Sequence, residues 1–100
     1  MVLAHEKCGA IDSAMKTGEH PSPNLTDLLR QIRASFSGPC PAGQDCWAFR
    51  TRQNAVYTVD DLKRRSEIIR KAIDVDKLPV VIGLYELKSG KIVIWKTINN

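Results

Sequence analysis

No stretch of the chain approaches the roughly 18 consecutive apolar residues of a membrane span, and none of its 100 residues belongs to a repeat or a low-complexity tract. A membrane-spanning protein is excluded on that count, and a soluble one is expected. The N-terminus also has no basic leader followed by an apolar run, which argues against export. Cysteine is scarce: three residues, Cys8, Cys40 and Cys46, are too few and too odd in number for a secreted disulfide framework. A reducing, cytoplasmic setting is therefore expected. Pairing of Cys40 with Cys46 across their short loop is the lesser alternative.

A segregated charge of one sign is missing too. The 15 Lys and Arg against 11 Asp and Glu leave a net +4, but the charges are interspersed. The densest run, Lys63-Arg64-Arg65, stands beside Asp60, Asp61 and Glu67, which reads as the solvated face of a helix. Aromatic residues are few, and the only grouping of one with basic residues on a strand is Trp95 with Lys91 and Lys96, which an exposed hairpin explains equally well. A nucleic-acid platform would need several beside the basic residues on one face, so nucleic acid is not the expected partner.

What is present is ordinary globular material, 43% hydrophobic and 26% charged. A chain this short accommodates one modest core, so residues 1–100 are expected to form a single domain. Met1-Val2-Leu3-Ala4 reads as a buried strand ending at His5, as though the chain begins inside a strand. Ile11, Ala14 and Met15 share a helical face up to about Lys16, and Gly18 and Pro21-Ser22-Pro23 end that helix. Asn24 is the expected N-cap of a second helix, with Asp27 in its first turn. Leu25, Leu28, Leu29, Ile32 and Phe36 form its stripe as far as Ser37-Gly38-Pro39.

Gly38 to Asp45 reads as an irregular loop. Beyond it, Ala55, Val59, Leu62, Ser66, Ile69 and Ile73 keep a helical period, with Ser66 breaking it and capping a second short helix from Glu67. Pro79 to Leu87 has the pattern of a strand covered on both faces. Lys88-Ser89-Gly90 supplies a tight turn, and Lys91 to Lys96 returns as its partner. The expected fold is α/β: a small mixed sheet of about three strands flanked by helices, with the first two strands parallel and the C-terminal hairpin antiparallel.

The residues that could carry chemistry are His5 and Cys8. A His and a Cys three positions apart, where a strand turns into a helix, can present an imidazole nitrogen and a thiolate to one metal. A helix N-terminus favours the thiolate, and zinc accepts this mixture of donors. The spacing alone reads more readily as a capping His and a buried structural Cys.

The wider context resembles the β-class carbonic anhydrases. Val2-Leu3-Ala4-His5-Glu6-Lys7-Cys8-Gly9-Ala10-Ile11 is similar to that family's strand-to-helix signature ending in His-x-x-Cys-Gly. Asn54 opening a helix, followed by Leu62, Ser66 and Ile69, is similar to its paired C-terminal helices. Val81-Ile82-Gly83-Leu84-Tyr85-Glu86-Leu87-Lys88-Ser89-Gly90-Lys91-Ile92 resembles its closing hairpin. The resemblance implies a zinc enzyme, a lyase that hydrates CO2 to bicarbonate with a metal-activated water, and gives His5 and Cys8 as two of the metal ligands.

The sequence departs from the family at one place. The family's Cys-x-Asp-x-Arg segment, which supplies another ligand Cys and an Asp paired with an Arg, is absent from these residues. Cys46-Trp47-Ala48-Phe49-Arg50 has its Cys and Arg at the required spacing, but Ala48 stands where the Asp would be. A truncated or degenerate carbonic anhydrase fold is expected, with little or no activity as a lone chain and CO2 or bicarbonate as ligand only if the site is completed. The strand that would neighbour Met1 to Ala4 is absent with it, so this exposed edge predicts a homo-oligomer. Two chains meeting there could join two His5 and two Cys8 in a closed zinc site. A metal-free self-association or interaction module, or a fragment of a complete enzyme, are the alternatives. His20 with Cys40 and Cys46 fits no strong zinc pattern and reads as a surface residue.

Overall fold

A computed structural model describes residues 1–16 and 22–98. In chain order its elements are β1 (Val2–His5), α1 (Gly9–Met15), α2 (Pro23–Arg33), α3 (Cys46–Arg65), α4 (Glu67–Asp74), β2 (Val80–Tyr85) and β3 (Ile92–Ile98). The residues form two compact units, Met1–Glu6 with Ala55–Asn100 and Lys7–Asn54.

The first unit holds the sheet, ordered β1-β2-β3. β1 runs parallel to β2, from Val2 opposite Ile82 to His5 opposite Tyr85, and β3 returns antiparallel along the other edge of β2. This is the small α/β sheet that the sequence predicts. Successive side chains on a strand point to opposite faces. Val2 and Ala4 accordingly join Val80, Ile82 and Ile98 in packing against Ala55, Val56 and Val59 of α3.

On the opposite face, a Cβ at Gly83 would lie 3.0 Å from Ile92 Cγ2 and 3.3 Å from Leu3 Cδ1. Glycine there lets these neighbours close over the strand. The hairpin turns at Gly90, whose φ of 69° is one that residues with a side chain rarely adopt. Its N–H donates to the Glu86 carbonyl at 2.9 Å, while Glu86 N–H donates to Lys91 O at 2.8 Å. β3 continues past Lys96 to Ile98, where it still pairs with Val80.

Ser66 interrupts the long helical period as expected. Its backbone is extended, and its Oγ accepts from Ile69 N–H, which caps α4. Lys63 Nζ meets Asp74 Oδ1 at 2.8 Å, tying α3 to α4.

In the second unit, Ile11 and Ala14 of α1 and Leu29 of α2 are buried. Three helix boundaries differ from the sequence expectation. Ser22, not Asn24, caps α2: its Oγ accepts from Leu25 N–H, and Pro23 occupies the first helical position, where an N–H would have no partner. α2 also ends at Arg33, short of Phe36, because Ser35 and Phe36 N–H groups bond to the Ile32 and Arg33 carbonyls and tighten the chain out of the helix. Leu25 and Leu28 of the supposed stripe are exposed.

The third difference concerns Asn54, which lies well inside α3. That helix begins at Cys46, since Asp45 Oδ1 accepts from Trp47 and Ala48 N–H at 3.0 and 3.3 Å and serves the orphan donors of the first turn. Gly18, His20 and Pro21, invoked in the sequence reading, lie outside the described residues.

Candidate functional site

His5 closes β1 and is exposed. Its Nδ1 lies 2.9 Å from the Glu6 carbonyl oxygen. A carbonyl only accepts, so Nδ1 is the donor, and in the neutral ring Nε2 is the nitrogen whose lone pair can bind a metal. Glu6 acts as a strut for the hairpin. Its N–H extends the ladder to Tyr85 O at 3.1 Å, and its carboxylate Oε1 accepts from Leu87 N–H at 3.0 Å. Lys7 makes the corner, with φ at 51°.

Cys8 is the N-cap of α1, half-buried and unpaired, and its thiol makes no capping bond. The sulfur is therefore not consumed by the helix. Its carbonyl is the fixed point, accepting from Asp12 N–H at 3.1 Å and from Trp47 Nε1 at 2.9 Å. Gly9 follows, and a Cβ there would meet nothing within 4 Å. Packing of the described residues does not require a glycine at this position.

The other two cysteines are not thiols. Cys40 and Cys46 form a disulfide with Cα atoms 5.6 Å apart, closed by a turn in which Gln44 N–H donates to Pro41 O and Gly43 takes a φ of 79°. The pairing that the sequence reading set second is the one found, and the cysteine count no longer speaks for a reducing compartment. It also removes both sulfurs from any ligand set. Arg50 is engaged as well, donating to the carbonyls of Ser37 and Gly38 and to Gln53 Oε1. Cys46 and Arg50 thus do not stand in for the missing Cys-x-Asp-x-Arg segment.

Among the described residues no three His, Cys, Asp or Glu side chains are grouped so as to hold a metal ion. No described helix is long and apolar enough to cross a membrane.

The carbonic anhydrase family model matches residues 1–92. The chain belongs to the carbonic anhydrase family. The match takes in the His-x-x-Cys-Gly turn, the four described helices and β2, and ends as β3 begins, supporting the β-class assignment made from the motifs. No curated protein matches the chain.

Carbonic anhydrases are generally zinc-dependent lyases. A catalytic zinc takes three protein ligands and keeps one open position, and the pair His5 and Cys8 falls short of that set. The described residues do not fit a catalytic zinc.

Sequence reasoning missed the anchoring of Cys8 by Trp47. The two are 39 positions apart, and no local pattern announces such a bond. It also gave no task to Arg33, whose Nε and Nη2 donate to the carbonyls of Ala14 and Lys16 at 2.9 and 3.1 Å. The only local sign was a basic residue in the last turn of α2.

Proposed function

We propose that this carbonic anhydrase-family chain carries half of a zinc donor set, His5 and Cys8, and has little or no CO2 hydration activity as a lone chain. The observation behind this is the fate of the remaining cysteines. With Cys40 and Cys46 bonded to each other, Cys8 is the one thiol left, and no third donor is grouped among the described residues. Two ligands leave zinc loosely held and over-hydrated. Residues 1–100 also lack the Cys-x-Asp-x-Arg segment whose Asp and Arg would orient a bound hydroxide. CO2 and bicarbonate become ligands only where a further donor set completes the site.

Zinc content of the purified chain, measured with its CO2 hydration rate, tests this reading. The expectation is less than one tightly bound zinc per chain and a hydration rate near the uncatalysed one. Stoichiometric zinc that survives dialysis, together with turnover comparable to a complete carbonic anhydrase, would overturn it.

A second reading rests on β1. Its partner in the described sheet is β2 alone, so its other edge presents unpaired backbone groups of the kind that invite strand pairing. We propose that copies of the chain associate along this edge. Sedimentation should show a dimer or higher oligomer, and a monomer at all accessible concentrations would dismiss it. A zinc-bridged dimer would dissociate on Cys8→Ser, whereas a metal-free one would persist.

A further inference from the structure

The second unit contains a cleft that the zinc chemistry does not use. It opens where the end of α1, the end of α2 and the start of α3 converge, with a volume of about 460 Å³, within the range of small-molecule sites. Met15, Phe36 and the disulfide-bonded pair Cys40 and Cys46 supply its apolar wall, and Arg33 and Arg50 supply its charge.

The two guanidinium groups are held, and none of their partners among the described residues is a carboxylate. Arg33 donates to the carbonyls of Ala14 and Lys16. Arg50 donates to those of Ser37 and Gly38 and to the Gln53 amide oxygen. Every one of these acceptors is uncharged, and no carboxylate lies among the described residues lining the cleft. Lys16, at the rim, has its own carboxylate in Asp12 at 3.0 Å.

Arg50 is further fixed over the rings of Phe36 and Phe49, 5.2 and 5.3 Å from their centroids. Guanidiniums already immobilised lose little side-chain freedom when a ligand arrives, and their planar fork suits a carboxylate.

The occupant follows from the two kinds of wall. A bare inorganic anion would leave Met15, Phe36 and the disulfide unused, and a neutral apolar molecule would leave two cations beside it without a counter-charge. We propose that this cleft is a binding site for a small aromatic carboxylate, its carboxylate on Arg33 and Arg50 and its ring against Met15 and Phe36. Thioether and ring make a favourable pair. The site is independent of His5 and Cys8, and its failure would leave the reading of the zinc site untouched.

The test is a titration of the full chain followed by amide and arginine-side-chain NMR, with benzoate and its neutral isostere benzamide as probes. Benzoate should saturate with shifts confined to Met15, Arg33, Phe36, Arg50 and the Cys40 to Cys46 loop. Benzamide should bind about tenfold more weakly, having lost the charge-assisted contact. Because Met15 is exposed, it can be changed without disturbing the fold. Met15→Glu, which places a negative charge in the wall, should weaken benzoate about tenfold. Met15→Gln, of similar shape and no charge, loses only the thioether contact and should weaken benzoate less than Met15→Glu does. Equal affinity for benzoate and benzamide, shifts scattered away from the cleft, or indifference of benzoate to Met15→Glu would each overturn the proposal.

Discussion

The indole Nε1 of Trp47 donates to the backbone carbonyl of Cys8 at 2.9 Å. This bond joins the first turn of α3 to the cap of α1, where the carbonyl already accepts from Asp12 N–H. The residue that offers the free thiol is thus held through its backbone from two sides.

Replacing that indole tests the anchor. Trp47→Phe keeps an aromatic ring and removes the donor, and should cost about 1 kcal/mol, the usual worth of one such bond. Chemical denaturation measures the cost, and the reactivity of the Cys8 thiol towards a disulfide reagent should change in parallel. An unchanged denaturation midpoint and thiol reactivity would show that the bond does not hold the cap.

The Cys40–Cys46 bridge closes a loop with a sequence separation of 6. By loop-closure entropy a ring of that size stabilises by about 2 kcal/mol. The oxidised protein should show one reactive thiol, Cys8, and three after reduction, with a lower melting temperature in the reduced state. Three thiols in the freshly purified, unreduced protein would place Cys40 and Cys46 in the reduced form.

Ser66 ends one helix and begins the next. Ser66→Ala removes the acceptor of Ile69 N–H and should destabilise the chain by about 1 kcal/mol, while Ser66→Asp should retain most of the stability. Thermal unfolding of the three proteins side by side settles the order.

Ile82 is fully buried where β2 meets α3, packed with Ala55 and Val59. Ile82→Ala should cost about 3 kcal/mol, the transfer of the side chain plus the cavity it leaves. A loss well under about 1 kcal/mol, as for an exposed site, would mean that the sheet does not pack on α3 as described.

Much of the fold was legible because its signals are local. Ser66 breaks a helical period with a side chain that bonds three residues on. Gly90 sits where the turn needs a positive φ. The apolar strands before His5 and after Pro79 can be read from their own residues. The helix starts were harder. Ser22 and Asn24 are both good caps, and Pro23 between them decides for Ser22 by taking the first helical position. Asp45 caps α3 from the end of a loop whose glycines and prolines gave no hint that a helix was about to begin. Phe36 has the spacing of the α2 stripe, yet the backbone bonds of Ser35 and Phe36 stop the helix before it.

The sequence by itself determined the family and the place of His5 and Cys8 at a strand-to-helix turn, and it shows that residues 1–100 hold no Cys-x-Asp-x-Arg segment, all of which depend only on residue identity and spacing. The tertiary structure alone decided that Cys40 and Cys46 are joined, that Trp47 holds the cap of α1, and that Arg33 and Arg50 face one cleft with no carboxylate among its described lining residues. Each of these requires the backbone to bring particular residues within bonding or facing distance, and spacing along the chain carries no record of that approach.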